Sequence, residues 1–572
     1  MNNSIMPRPE YPRPQLVRSE LMKLNGEWEF EQDKGLSGKE RKLFSAEHLS
    51  SKIIVPFCME CKLSGIGDVD FCDCVWYRKE IDISGTWLDC GKRVILHIGA
   101  CDYRTTVYIN GKSVGEHFGG MSSFSFDITK HLLEGKNTIV ISAEDHTRSG
   151  VQPGGKQSPR YGSYGCFYTR TTGIWQTVWL ESVPSSYISA LKYYPNIENS
   201  TVTISAEIKG ADGITLTAKA SYSGKEVGCA SSKVSGGVCY VTVPLTELHL
   251  WEAGKGRLYD LEIECGEDKI SSYFGMRSVV VGENGVLVIN GKKVFQRMIL
   301  DQGFYPDGIW TAPCASELEN DILRSMAMGF NGARLHQKVF EERFLYYCDK
   351  HGYLVWEEHG NWGVDLTRST AWKAYFPEWK EIILRDFNHP AIIGWCPLNE
   401  TKKEQDPDFP QALVALTKAL DPTRAVIDTS GWTHEENCTD IMDWHDYDQN
   451  PETFKARYEA VANGALIESH RLRYKISPNF ISEYGGIKWD INSNLSNAWG
   501  YGNAPQTEEE FLERFRGLTE ALMFNPYITG LCYTQLTDIE QETNGLYTYD
   551  RQPKFDVNFF KKILDQKAAC ED

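Results

Sequence analysis

The apolar pattern of this chain changes once, near residue 283, and that change limits what it can fold into. Upstream, short β-type runs alternate with turn signals: VWYRKEIDI, RVILHIG, YRTTVYINGKSV, FSFDIT, NTIVISAED and GIWQTVWLE. Asn110-Gly111, between TTVYI and KSVGE, is a hairpin signal, because both residues tolerate the positive φ of a tight turn. Evenly spaced short strands without long helical patterns predict a jelly-roll β-sandwich over residues 1–182. The runs TVTISAEI, ITLTAKASY, GVCYVTVPL and LYDLEIECG predict a smaller immunoglobulin-like sandwich over 183–282.

Downstream, buried strands alternate with amphipathic helices. The strands are VFQRMILDQ, FNGARLH, YLVWEE, IIGWCPLNE, AVIDTS, IMDWHDY, FISEYGG and GLCYTQLTD. Helix starts are marked by Ser316 with Glu319 and by Thr507 with Glu510, both of capping-box form. About eight such repeats over residues 283–572 predict a (β/α)8 barrel, whose weakest link is the short connection after Ser430. The stretch from His146 to Thr171, rich in Gly, Pro, Ser and Tyr, interrupts the first sandwich as a long loop of the kind that carries function.

A formal net charge of −18 leaves no excess of Lys and Arg for a nucleic-acid partner. No stretch has the length of a membrane span, and MNNSIMPRPEYPRPQ has no apolar core of a secretory signal, so a cytoplasmic location is expected. The 16 cysteines fall mostly inside apolar runs, as suits a reducing compartment. Cys58, Cys61, Cys72 and Cys74 lack a second pair at zinc spacing and read as buried thiols.

A barrel keeps its chemistry at the C-terminal ends of its strands. Here those ends are polar: Asp301 and Gln302, Arg334 and His336, Glu357, Glu358 and His359, Asn399 and Glu400, Asp428, His445 and Tyr447, Glu483 and Tyr484, Gln535 and Asp538. Any one could end a strand or cap a helix; together they read as a sugar pocket. Glu400 and Glu483 form the minimum pair for splitting a glycosidic bond, one donating a proton and the other attacking the sugar carbon. Arg334 and Tyr447 are the candidates for keeping Glu483 ionised.

Asn388-His389-Pro390 leading to Asn399-Glu400, followed by Ser482-Glu483-Tyr484-Gly485, resembles glycoside hydrolase family 2, which includes β-galactosidases, β-glucuronidases and β-mannosidases. The resemblance extends to WYRKEIDI, YINGKSVG and GIWQTVWLE in the first domain and to LWEAGKGRLYDLEIE and FGMRSV in the second. It implies a retaining exo-glycosidase with Glu400 as acid/base and Glu483 as nucleophile. It also implies that Asn399 holds the 2-hydroxyl, that Tyr447 touches the nucleophile and that Arg334 and His336 shape the sugar subsite. His359, His445, Tyr484, Asp301, Gln302 and Gln535 complete the expected substrate-binding set.

The chain departs from the family pattern at several points. After the second strand it reads Arg334-Leu335-His336-Gln337, without the Tyr-Pro of many relatives. The Asn-x-Lys pair with which β-glucuronidases grip a sugar carboxylate is replaced by Thr543-Asn544-Gly545, and Arg551 reads as an anchor near the C-terminus. A neutral sugar, β-galactoside first, is therefore expected, with a glucuronide or arabinoside as the alternative. A non-catalytic carbohydrate-binding protein would not require both glutamates, and no Gly-x-Ser-x-Gly elbow supports an acyl hydrolase. The two-carboxylate route requires no cofactor; Mg at Glu357 or Glu358 with His359 has few ligands to support it. The expected partner is a glycoside or oligosaccharide, and a homo-oligomer is compatible with the sequence.

Overall fold

The structure is a computed structural model that describes residues 6–89, 91–491 and 497–571. Its first unit is an antiparallel sandwich of a six-stranded and a four-stranded sheet, closed by Val178–Val183. Asn110 (φ 49°) and Gly111 (φ 76°) turn the chain between Arg104–Ile109 and Lys112–Phe118, as the Asn-Gly signal predicts. Alternate residues of the two sheets, among them Trp28, Phe30, Tyr77, Leu96 and Ile141, fill the space between them. Cys58, Cys61, Cys72 and Cys74 are buried free thiols. The second unit packs a three-stranded sheet on a four-stranded one between Tyr187 and Phe274.

The barrel strands are β1 (Gln296–Asp301), β2 (Gly332–Leu335), β3 (Leu354–Glu358), β4 (Ile392–Cys396), β5 (Ala425–Val426), β6 (Asp443–Asp446), β7 (Phe480–Gly485) and β8 (Gly530–Thr534). They form one parallel sheet in the order β5-β4-β3-β2-β1-β8-β7-β6. Helices α1 (Ala315–Ala327), α2 (Glu342–His351), α3 (Ser369–Asp386), α4 (Asp408–Leu420), α5 (Pro451–Ala462), α6 (Glu508–Met523) and α7 (Val557–Leu564) accompany it. No α-helix joins β5 to β6 and no ladder pairs them. The seam is closed by side chains instead: Ser430 Oγ donates to Asp443 Oδ2 at 2.8 Å, and the Ser482 hydroxyl donates to the same carboxylate.

Thr507 caps α6 by accepting from Glu510 N, but the Ser316 expectation fails. Helix α1 begins at Ala315 with Cys314 as its N-cap, so Ser316 lies inside the first turn, and Glu319 pairs with Lys350 and His351. Among the described residues no helix is long and apolar enough to cross a membrane.

The first sandwich is fused to the barrel by a shared core. Trp175 packs edge-on against Trp310 with centroids 5.1 Å apart, and Thr311 Oγ1 donates to Trp175 O at 2.6 Å. Burying an aromatic side chain contributes about 2–3 kcal/mol. This contact therefore holds the 146–171 loop in a fixed place above the strand ends.

Candidate active site

Strand alternation sends every second side chain of β2 and β3 to the barrel interior. Arg334 and Glu358 meet there, both fully buried, with Arg334 Nε donating to Glu358 Oε2 at 2.9 Å. Arg334 also donates to Ser482 O (2.8 Å) and Asn399 Oδ1 (2.7 Å), which ties β2 to β7 and to the segment after β4. Burial would raise the Glu358 carboxyl, but Arg334 and His336 reverse that and bring it down to about 2. Burial holds the His336 imidazole below its ordinary range despite the nearby Glu358 charge.

Glu483 lies beside this pair. Its Oε1 is 3.0 Å from Arg334 Nη2, whose N–H bonds are aimed at Asn399 and His336, and Oε1 itself has no hydrogen-bond donor among the described residues. The Tyr447 hydroxyl donates to Oε2, and Tyr447 is in turn stacked on Tyr501. Burial alone would push the Glu483 carboxyl up; His445, Arg334, His336 and the Tyr447 hydroxyl hold it well below the usual carboxylate range. Register shifts in the β6–β7 ladder fall at His445 and Glu483, and such bulges re-aim side chains.

Glu400 stands opposite, with 17% of its side chain exposed. Its backbone has φ 49°, and its N–H donates to Ser430 O at 2.9 Å. His445 bridges the two glutamates: Nδ1 is 2.8 Å from Glu400 Oε1, and Nε2 is 3.0 Å from Ser430 Oγ and 3.5 Å from Glu483 Oε1. The ring has room because residue 431 is glycine, where a Cβ would stand 2.6 Å from Nδ1. One ligand atom from each of Glu400, His445 and Glu483 lies within 4.8 Å of the others. By spacing alone this trio could hold a cation, but the Glu400–His445 contact already joins two of its donors.

A second polar chain lines the adjoining wall. Gln302 Nε2 donates to the Tyr168 hydroxyl (3.0 Å) and to Gln535 Oε1 (2.5 Å), Gln535 donates to Asn544 (2.9 Å), and Asn544 donates to Glu542 (2.9 Å). The Tyr168 hydroxyl closes the chain on Glu542. Trp362 completes the wall, its indole donating to Asn399 O at 3.3 Å.

Arg334, His336, Asn399, Glu400, His445, Tyr447 and Glu483 thus converge, with Gln302 and Gln535 beside them. Three expected contacts do not. Asp301 accepts from Gly303 N (2.9 Å) and has Asp321, Arg551 and Lys338 as its charged neighbours, apart from Glu400 and Glu483. His359 is buried against Tyr375 (4.3 Å between centroids) and lies 3.4 Å from Glu378. Tyr484 points the other way from Glu483 and shares a hydrogen bond with Thr519 of α6 at 2.8 Å. Asp301 is drawn away by Arg551, which pairs with Asp321. For Tyr484 and His359 the physical reason is alternation, since successive residues along a strand face opposite sides. It also separates Glu357, whose charged neighbours are Asp386 and Arg385, from Glu358, so these two and His359 do not gather as metal ligands. Asp428 holds His434, and Asp538 holds Lys554.

Sequence reasoning missed Lys156, Trp362 and Glu542. The flagged 146–171 loop was the available signal for Lys156; nothing local marks the other two.

Comparison with known proteins agrees along the whole chain. Residues 21–151 match the model of the glycosyl hydrolases family 2 sugar binding domain, 186–277 that of glycosyl hydrolases family 2, and 283–567 that of the family's TIM barrel domain. The β-glucuronidase of Sus scrofa is 27% identical over 64% of this chain and 60% of its own length. A β-galactosidase of Thermoanaerobacter pseudethanolicus is 26% identical over 66% of this chain and 51% of its own. The chain thus spans less than two thirds of either relative, and 44% of a putative β-glucuronidase from Formosa agariphila. The structure of a Lactobacillus rhamnosus β-glucuronidase superposes with a TM-score of 0.81 at 17% identity, covering 98% of this chain and 100% of that one. That of a Dictyoglomus thermophilum β-D-glucuronidase gives 0.76 at 20%, covering 97% and 98%. With all three of its units matched in order, the chain belongs to glycosyl hydrolases family 2.

Proposed function

We propose that this chain is a retaining exo-β-glycosidase and that its substrates are β-D-glucuronides. The observation that carries the reaction is the placement of Glu400 and Glu483, with carboxylate oxygens within 4.8 Å of one another. Retaining enzymes keep their carboxyl groups about 5–5.5 Å apart, whereas inverting ones need about 6.5–9.5 Å to admit a water.

The two environments suit opposite duties. Glu483 is ionised, and Oε1, which accepts no hydrogen bond from the described residues, is the oxygen that attacks the anomeric carbon. Glu400 is partly exposed and stands 2.8 Å from His445 Nδ1, a ring fixed on its other side by Ser430 Oγ and Arg334 Nη1. In its protonated form Glu400 delivers a proton to the leaving oxygen. After departure, the Glu400 carboxylate takes a proton from water, which opens the glycosyl-enzyme. Asn399 Nδ2, buried with no partner among the described residues, is the donor available to the sugar's 2-hydroxyl. No step in this route asks for a metal.

The sugar assignment rests on the similar proteins, several of which are β-glucuronidases. The missing lysine at Thr543-Asn544-Gly545 favours the second reading, a neutral β-galactoside. A panel of aryl β-glycosides decides between them: the glucuronide should be cleaved with the highest kcat/KM, and a galactoside preference would overturn the assignment. Glu400→Ala should keep activity on dinitrophenyl glycosides, lose about 100- to 10,000-fold on poor leaving groups, and yield the β-glycosyl azide with added azide. An inverted azide product would rule out retention.

A further inference from the structure

The sugar pocket holds a cation that neither the mechanism nor the fold uses. Lys156 comes from the first sandwich, and its side chain reaches over the barrel mouth. It gets there because Gly154 N and Gly155 N both donate to Trp362 O, at 2.8 and 3.0 Å, and Gly155 N also approaches Gly360 O at 3.2 Å. Only glycine permits that approach: residue 155 has φ +56°, and a Cβ there would stand 2.1 Å from Gln337 O. The next residue is Lys156, whose carbonyl accepts from Tyr168 N at 2.8 Å and so locks the loop.

Lys156 is 6% exposed. Its ammonium lies 4.4 Å from the centroid of Trp362, the ring tied to Asn399 O beside Glu400. It makes no ion pair or hydrogen bond with the described residues. Burial opposes its charge, but Cys166, Glu542, Glu483 and Glu400 outweigh that and keep the lysine above its ordinary range, so it is a cation at neutral pH. The carboxylates nearest to it are already engaged: Glu542 by Tyr168 and Asn544, Glu483 by Tyr447 and Arg334, Glu400 by His445. A largely buried lysine whose ammonium keeps all three donors free of acceptors among the described residues is suited to take up an anion.

We propose that Lys156 is the specificity-determining residue that binds the carboxylate of an acidic sugar in this pocket, supplied by the first domain where the barrel lacks a lysine. This rests on the reading of the chain as a β-glucuronide hydrolase. It assigns the cation to a group that touches substrate, while Glu400 and Glu483 remain the reacting pair.

The test compares aryl β-D-glucuronide with the matching aryl β-D-glucoside on the full chain, for the wild type, Lys156→Met and Lys156→Arg. Loss of one charge-assisted contact should lower the glucuronide-to-glucoside ratio of kcat/KM about 100-fold in Lys156→Met. Lys156→Arg should recover part of that ratio, since it keeps the charge. A wild type that prefers the glucuronide, combined with an unchanged ratio in Lys156→Met, overturns the lysine's role alone, and equal losses on both substrates do the same by marking it as a balance for Glu542 and Glu483. A wild type without a glucuronide preference takes down both readings. Thermal melting of each variant separates misfolding from loss of recognition: if Lys156→Met melts early, the ratio in Lys156→Arg and the inhibition of the wild type by D-glucuronate relative to D-glucose carry the decision, and no difference between these two sugars overturns the proposal.

Discussion

Two buried charge clusters sit at the strand ends of this barrel, and each centres on an arginine. In the first, Arg334 joins Glu358 and Glu483 inside the barrel. In the second, Arg551 pairs with Asp321 (3.2 Å), with Asp301 and Lys338 nearby. The second is closed on itself: Arg551 donates to Tyr549 O and Phe304 O, and Lys338 donates to Gly303 O and Trp310 O at 2.6 and 2.7 Å. The first leaves Glu483 Oε1 and Asn399 Nδ2 without hydrogen-bond partners among the described residues. Charge and burial are common to both, so neither marks the site. What distinguishes the first is the kind of atom left open: a carboxylate oxygen of the Glu400–Glu483 pair and the Asn399 amide beside it. Among the described residues the second leaves open only the Tyr305 hydroxyl and the Trp310 indole N–H.

The largest expected effect tests that distinction from the open side. Glu483→Gln removes the attacking oxygen's charge while keeping its shape, and kcat on any cleaved glycoside should fall about 10,000-fold or more, roughly 5 kcal/mol of barrier. Its thermal midpoint should fall somewhat, because the neighbours that hold the Glu483 carboxyl below its usual range stabilise its charge in the folded state. Residual turnover within tenfold of the wild type would move the nucleophile elsewhere.

From the closed side, Arg551→Met should leave kcat/KM within a fewfold and lower stability by about 3–5 kcal/mol, since it takes one of the two arginines from buried Asp321, leaving Arg324, and removes the donor to Phe304 O. Paired thermal melts and rate assays read both quantities. A loss of kcat/KM as deep as that of Glu483→Gln, in a variant that still folds, would erase the contrast between the clusters.

The same contrast explains what the sequence made legible. Apolar runs ending in polar residues point to the strand ends, and through them to Glu400, Glu483, Arg334 and Tyr447. They do not say which way each side chain faces, and alternation then removes Tyr484, His359 and Glu357 from the site. Applied strictly, that rule would have excluded one of each adjacent pair in advance; the bulges at His445 and Glu483 limit it, because they change the phase. Asp301 was illegible for another reason: the partners that draw it away, Arg551 and Asp321, come from distant segments. Lys156 lies some 240 residues before Glu400, and only the packing of Gly155 against Gln337 brings it to the mouth.

The seam between β5 and β6 offers a third charged cluster and the smallest of the expected effects. With no ladder there, fully buried His434 bridges the two sides, Nδ1 at 2.7 Å from Asp428 Oδ1 and Nε2 at 2.9 Å from Asp443 O. Burial works against the protonated ring, but Asp428 and Asp443 prevail and push its pKa up to about 9. The folded state therefore keeps a proton that the unfolded chain releases near pH 6.5. The resulting stabilisation is fully present below about pH 6.5 and disappears as pH rises through about 9, a change on the order of 3 kcal/mol. Melting curves at pH 6, 7.5 and 9.5 should show the thermal midpoint falling by several degrees over that window, and His434→Gln should flatten this part of the profile at a lower midpoint. An equally steep fall in His434→Gln would assign the loss to another group and leave the seam held by the Ser430–Asp443–Ser482 bonds alone.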